Sequence, residues 1–180
     1  MTRVELKMFT FATASKSLSI DNGFEDPIPK RLLFSMVKNT DFNGSLDSNP
    51  YKFQHYDIRD FSLFVNGKQF PNEGLTVVMD HEKTSVMGYR KLFEASGIHH
   101  SNTGLQITHD MCINIYLMLL FDVTPERGVS VVHTSHPENG SIRIQLKINK
   151  PLPEAITCLL YLEFDNSVLL DFERKLTTDF

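Results

Sequence analysis

A histidine, a tyrosine and two carboxylates that lie close together are the first side chains in this sequence that could do chemistry. His55-Tyr56-Asp57 is followed by Asp60, and a carboxylate can orient an imidazole that moves protons. Asp57 is also typical of a turn before a strand, where its side chain bonds the local backbone, and Tyr56 is suited to packing at a sheet end. We favour the turn, because a proton relay needs a geometry that spacing alone does not supply.

Metal binding is the second chemistry to consider, and histidines would carry it. The two candidate groups are His133 and His136 with Glu138, and His99-His100 with His109. Residues three apart on a strand face opposite sides, and Pro137 opposes a helix that would bring His133 and His136 together. A cupin would place paired histidines on one strand face, and this spacing does not. We therefore predict no metal and no cofactor.

The remaining reactive side chains favour a structural protein over an enzyme. Two cysteines, Cys112 and Cys158, are too few for a disulfide scaffold and fit a reducing compartment. Cys158 lies in an apolar row, which indicates a core residue rather than a reactive thiol. Asn43-Gly44-Ser45 and Asn139-Gly140-Ser141 match the glycosylation triplet, but the amino-terminal segment lacks a secretory pattern, so we interpret both as turns. No nucleophile elbow or phosphate loop occurs in the sequence, and we predict no enzymatic activity.

Charge and hydropathy limit the partners of the chain. Its 18 basic and 22 acidic side chains give a net charge of −4, so no basic field covers the whole molecule. The pairs Lys30-Arg31 and Arg90-Lys91 are candidates for weak contact with a genome, although such short pairs usually mark solvated surface. The longest apolar run, Ile115 to Phe121, is too short to span a membrane.

The elements that must position these residues are mostly strands. Alternation of apolar and polar side chains predicts strands at Val4–Ala12, Leu32–Val37, Ile58–Val65, Ile115–Asp122, Val129–His133, Ser141–Ile148, Ile156–Phe164 and Val168–Phe172. Asn66-Gly67 predicts a tight hairpin between Phe61 and Phe70 that Pro71 ends. One helix is expected between a cap at Thr84 or Ser85 and Gly97.

The fold class follows from these elements. With 180 residues in one domain, 1–180, we predict an all-β, antiparallel two-sheet sandwich of about eight strands with one short helix, for which a jelly roll is one topology. Ile142, Ile144, Leu146 and Ile148 should be buried, with Arg143, Gln145 and Lys147 exposed. The segments Asp21–Pro29, Asn39–Pro50 and Gly97–Asp110 are predicted to be loops.

A series of short motifs in a fixed order resembles a known family. The motifs are Pro29-Lys30-Arg31-Leu32-Leu33, Asn43-Gly44-Ser45, Asn49-Pro50-Tyr51-Lys52-Phe53-Gln54-His55-Tyr56-Asp57, Leu63-Phe64-Val65-Asn66-Gly67-Lys68-Gln69-Phe70-Pro71, Tyr89-Arg90-Lys91-Leu92-Phe93, Phe121-Asp122-Val123-Thr124-Pro125 and Leu162-Glu163-Phe164-Asp165-Asn166. Together they are similar to the major capsid protein of Polinton or Maverick elements and the related adintoviruses, over nearly the whole chain.

The resemblance implies a double jelly-roll capsid subunit, of which this chain corresponds to the C-terminal roll alone. The implied function is a structural protein of a virion shell, or a truncated or domesticated copy of one. The implied location is the virion, or the cytoplasm or nucleus of the host cell, without secretion. The implied partners are other capsid subunits or further copies of the chain, in trimer- or hexamer-like groups.

Two further expectations concern surfaces. Because a second roll normally packs against a first, alternation suggests an exposed self-association surface of Phe9, Phe11, Leu159 and Tyr161. The alternative function is a jelly-roll binding module, a carbohydrate or receptor lobe without catalysis. Its specificity would then lie in the loops Asn39–Pro50 and Gly97–Asp110.

Overall fold

The computed structural model describes residues 2–21, 25–76, 86–98, 104–124, 138–166 and 168–178. The strands are β1 (Thr2–Phe11), β2 (Ser17–Ile20), β3 (Glu25–Pro27), β4 (Arg31–Lys38), β5 (Ile58–Val65), β6 (Lys68–Thr76), β7 (Leu119–Asp122), β8 (Asn139–Ile148), β9 (Ile156–Asp165), β10 (Val168–Leu170) and β11 (Leu176–Thr178). The helices are α1 (Asn39–Phe42), α2 (Val86–Ser96) and α3 (His109–Asn114).

Two larger sheets form the sandwich, and β10 and β11 pair with each other in a separate two-stranded sheet. The first has the strand order β1-β9-β4-β7, and the second has β2-β8-β5-β6 with β3 alongside β8. All of these strand pairs are antiparallel. In each sheet an early strand lies beside a late one, and the chain crosses repeatedly between sheets, which is the jelly-roll topology. The predicted all-β, two-sheet jelly-roll class is confirmed.

The core lies between the sheets and follows the alternation in β8. Ile142, Ile144 and Leu146 are at most 1% exposed, whereas Arg143 and Lys147 are exposed on the opposite face and Gln145 is half-buried. The matching row of β9, from Ile156 to Phe164, is also buried. One row of each strand therefore supplies the apolar layer, as the sequence predicted.

The hairpin between β5 and β6 has the predicted turn. Asn66 and Gly67 both have positive φ, 52° and 75°, as a tight two-residue turn requires. The prediction that Pro71 ends the pairing is wrong, because β6 continues to Thr76 after a register shift opposite Phe61 and Leu63. Proline is tolerated there because, among the described strands, β6 is the last of its sheet and needs no ladder donor on its outer side.

The helices differ in part from the prediction. α2 lies where one helix was expected, while its predicted caps Thr84 and Ser85 fall outside the described residues. α1 lies in the predicted loop Asn39–Pro50, and α3 begins at the end of the predicted loop Gly97–Asp110. Both helices are short, and Thr108 caps α3, because its hydroxyl accepts a hydrogen bond from the Met111 amide at 3.2 Å. Because α3 runs to Asn114, the predicted strand from Ile115 begins later, at Leu119. The predicted strand Val129–His133 lies outside the described residues.

Candidate interaction surface

The outer face of the first sheet carries an apolar surface along β1. Val4, Leu6 and Met8 point away from the core and are 47%, 51% and 50% exposed. Their direct partners on β9 are Glu163, Tyr161 and Leu159, and directly opposed residues in an antiparallel pair lie on the same face. We call Val4, Leu6, Met8, Leu159 and Tyr161 the apolar strip.

The other row of β1 is charged at its amino-terminal end and points inward. Arg3, Glu5 and Lys7 pair with Phe164, Leu162 and Leu160, which are core residues. Glu5 accepts ion pairs from Arg3 at 3.0 Å and Lys7 at 3.8 Å, and the Arg3 guanidinium lies 4.7 Å from the Phe164 ring centre. In this row, one negative charge, that of Glu5, lies between the two positive charges of Arg3 and Lys7.

The register corrects the expected self-association surface. Phe9 and Phe11 pair with Cys158 and Ile156, and both are partly buried against the core. The expectation that they face outward is therefore wrong. The odd-numbered residues from 3 to 11 include both the charges and the phenylalanines of β1. The sequence therefore does not show which row of β1 faces inward, whereas the pairing with β9 does. Leu159 and Tyr161 do lie on the outer face and are half-buried.

Helix α2 covers the other half of that outer face. Leu92 and Ala95, 4% and 5% exposed, pack against Leu120 of β7 and Leu33 of β4. Among the described residues, nothing comparable covers the half formed by β1 and β9. The outer face of the first sheet is therefore covered by α2 at β4 and β7. At β1 and β9 the same face is apolar and accessible.

The histidine, tyrosine and aspartate of the first motif form a turn. The Asp57 amide donates to His55 Nδ1 at 3.0 Å, and the same nitrogen lies 3.6 Å from Asp57 Oδ1. Tyr56 and Asp57 have φ of 44° and 52°, and Asp57 binds Lys150 at 3.2 Å. Asp60 pairs with its neighbour Arg59. The positive φ values and the bond from the Asp57 amide support the turn interpretation, and the absence of catalysis stays a prediction.

Burial keeps the tyrosine and cysteine side chains protonated. Burial first, and then the nearby carboxylates of Glu154 and Asp41, raise the pKa of Tyr56. Burial also raises the pKa of Cys158 and, against a backbone hydrogen bond from Met118, that of Cys112. Cys158 is a core residue, as predicted. These groups are suited to packing rather than to nucleophilic chemistry.

Most of the histidines considered as metal ligands lie outside the described residues, and the two basic pairs considered for genome contact are bound to carboxylates. Within the described ranges, no group of three His, Cys, Asp or Glu side chains could hold a metal ion. His99, His100, His133 and His136 lie outside those ranges, so the absence of a metal stays a prediction. The four side chains of the two basic pairs each bind a carboxylate: Lys30 binds Asp165, Arg31 binds Glu163 at 3.2 Å, and Arg90 and Lys91 bind Glu94 at 2.6 Å and 2.8 Å.

One open cavity of about 400 Å³ lies beside the His55 turn. Lys52, His55, Tyr56, Lys150 and Pro153 are among its lining residues. It is distinct from the loops Asn39–Pro50 and Gly97–Asp110 in which the sequence placed binding specificity. In the part of the chain that the structure describes, no helix has the length and apolar composition needed to cross a membrane.

Comparisons with known proteins find one relative by sequence and several solved structures of similar fold. No family model matches the chain. An uncharacterized protein of Caenorhabditis elegans is 25% identical over 191 residues, which cover 98% of this chain and 45% of that protein. A chain in the 3.5 Å cryo-EM structure of the Sputnik virophage matches 99% of this chain and 38% of its own length, with a TM-score of 0.54 and 12% identity. A chain of the quasi-atomic model of the PBCV-1 virus capsid matches with a TM-score of 0.48 and 10% identity, over 93% of this chain and 48% of that one.

The protein is thus a jelly-roll domain by its own strand order. It shares this fold with a chain of the Sputnik virophage structure. It spans less than half of the length of the Caenorhabditis elegans protein and of the Sputnik virophage chain.

Proposed function

We propose that this chain is a structural jelly-roll domain that assembles with other subunits of a capsid-like shell. The observation that carries the proposal is the outer face of the first sheet, where α2 covers one half and the apolar strip occupies the other. A shell subunit needs a face of this kind, because apolar surface that stays exposed in a monomer becomes buried against a neighbour. The fold shared with a Sputnik virophage chain supports the same role.

The origin that we propose is a Polinton- or Maverick-like element related to adintoviruses. The sequence motifs support it, and so does an animal relative that is similar over almost the whole of this chain. In that relative and in the Sputnik chain, more than half of the length lies outside the match. This leaves room for a second domain of similar size, as a double jelly roll would have. The proposed identity is therefore the second roll of such a subunit, with 1–180 as a single jelly-roll domain, or a truncated or domesticated copy.

The proposed place of the protein is the virion, or the cytoplasm or nucleus of the cell that makes it. No catalytic role is proposed, because the His55 turn, Tyr56 and the two cysteines are arranged for packing and backbone hydrogen bonding. Covering roughly 200 Å² of apolar surface would contribute about 5 kcal/mol, which is large beside the net stability of a domain. Association is therefore the main energetic consequence of the exposed strip.

Light scattering and negative-stain electron microscopy over a wide dilution series test the proposal. The purified chain should form larger species as its concentration rises, and Leu6→Asn should weaken this association at least tenfold, because it places an amide in the apolar strip. Leu46→Asn is the matched control, since Leu46 is 105% exposed and lies outside the strip. A wild-type chain that stays monomeric throughout, or equal effects of the two variants, would contradict a shell role.

A binding module is the second candidate, and the cavity beside His55 favours it. Tyr56 and Pro153 offer ring surfaces and Lys150 a cation, which together suit a carbohydrate or an acidic receptor segment. A glycan array probed with the wild-type chain and with Lys150→Ala tests this role. Selective binding that the variant loses, in a chain that does not associate, would favour the module over the shell subunit.

A further inference from the structure

We propose that two copies of this chain pair edge to edge through β1, antiparallel and about a two-fold axis at Leu6. The pairing would join the first sheets into one sheet of eight strands, four from each copy. This inference deepens the proposed function and rests on it, because it names the contact through which copies associate.

The outer edge of β1 is long and accessible. The strand has ten residues and is paired with β9 along its whole length, from Thr2 with Asp165 to Phe11 with Ile156. Among the described residues, no strand lies on its other side. In an antiparallel ladder, about half of the backbone amides and carbonyls of β1 therefore point away from β9 and are available to another strand.

The charges of β1 are complementary to themselves. Inward-pointing charges usually protect a sheet edge, because a like strand cannot cover them. Here Arg3, Glu5 and Lys7 alternate in sign. An antiparallel partner centred on Leu6 brings Glu5 opposite the partner's Lys7, and by symmetry Lys7 opposite the partner's Glu5. Two ion pairs then cross the interface.

The same register joins the two apolar strips. Leu6 lies opposite the partner's Leu6, and Val4 lies opposite the partner's Met8, so half-exposed side chains cover one another. Centring the pair on Glu5 or on Lys7 would place identical charges opposite each other. A shift to an axis between two residues would join the apolar row of one copy to the charged row of the other. The register centred on Leu6 places opposite charges opposite each other in one row and apolar side chains opposite each other in the other row.

Charge reversal tests this register. Glu5→Lys alone and Lys7→Glu alone each replace two attractive contacts by two repulsive ones, and each should weaken dimerisation at least tenfold. An equal mixture of the two variants should dimerise like the wild type, because every reversed charge then faces an opposite one. Native mass spectrometry with one variant isotopically labelled distinguishes the mixed dimer from the two homodimers.

The matched control is another Glu–Lys pair with the same spacing. Glu173 and Lys175 bind each other at 3.1 Å and are exposed in the loop between β10 and β11. Glu173→Lys and Lys175→Glu make the same changes of charge away from β1 and should leave dimerisation unchanged. Circular dichroism and thermal unfolding check that each variant is folded.

The outcomes separate this inference from the proposed function. If dimerisation is weak in each single variant and recovers only in their mixture, the Leu6 register is supported. If the folded single variants associate like the wild type, the Leu6 register is overturned. If Leu6→Asn prevents association and charge reversal does not, the shell role stands and edge pairing is wrong. If dimers form with the expected charge rescue but never grow further, edge pairing stands and the shell role is wrong. A wild-type chain that remains monomeric overturns both.

Discussion

At the scale of single residues, β1 reverses the usual division of a strand at a molecular surface. Leu6 and Met8 are about half exposed, at 51% and 50%, while Glu5 and Lys7 point to the inner side. A monomer gains nothing from this arrangement, because its apolar side chains stay exposed to water. An outward apolar row is stabilising only when another molecule covers it. Both the proposed shell role and the proposed pairing through β1 therefore rest on these residues.

The phenylalanine cluster in the core gives a prediction at the same scale. Phe61 is 1% exposed, and its ring centre lies 5.1 Å from that of Phe34 and 5.0 Å from that of Phe121. Phe61→Ala removes ring contacts that join β5 of the second sheet to β4 and β7 of the first, and it should lower the free energy of unfolding by about 3–5 kcal/mol. Phe172→Ala, at a side chain that is 90% exposed, should change it by less than about 0.5 kcal/mol. Urea denaturation measures the free energy of unfolding of both variants. Similar losses in the two would show that the phenylalanine cluster does not stabilise the packing of the two sheets.

At the scale of elements, the β5–β6 turn depends on backbone conformation rather than on space. Gly67 has a φ of 75°, and an added Cβ there would meet no atom within 4 Å. Gly67→Ala should therefore cost about 1 kcal/mol through φ alone. Gly104 is equally open and has no positive φ, so Gly104→Ala should cost much less. Denaturation midpoints measure the difference, and equal costs would mean that the turn relaxes without strain.

The strands also show what the sequence can and cannot predict. Ile142 to Ile148 alternate without exception, so both the strand and its buried row are predictable. In β1 the charges and Phe9 share one row, so the pattern does not choose the inner face, and the contact with β9 supplies the missing information. Pro71 was predicted to end a strand because the sequence does not show that β6 is at an edge. The helices α1 and α3 are too short for their periodicity to be recognised.

At the scale of the whole molecule, stability and association are linked. The apolar strip is covered only when copies meet, so a partner binds the folded chain and not the unfolded one. Leu6→Asn changes a residue that is 51% exposed, so its effect on the isolated domain should be small. Its effect on the assembled protein should be large. The two contributions can therefore be separated by varying concentration.

The melting temperature of the wild-type chain should accordingly rise with protein concentration. At a hundredfold excess over the dissociation constant, a partner adds about 2.7 kcal/mol, which corresponds to several degrees for a chain of this length. The Leu6→Asn curve should stay flat, because the variant removes the apolar contact at the axis, whereas Leu46→Asn should follow the wild type. Differential scanning calorimetry from micromolar to near-millimolar concentration measures all three. A wild-type melting temperature that does not depend on concentration would mean that the apolar strip stays uncovered. The chain would then function as a monomer.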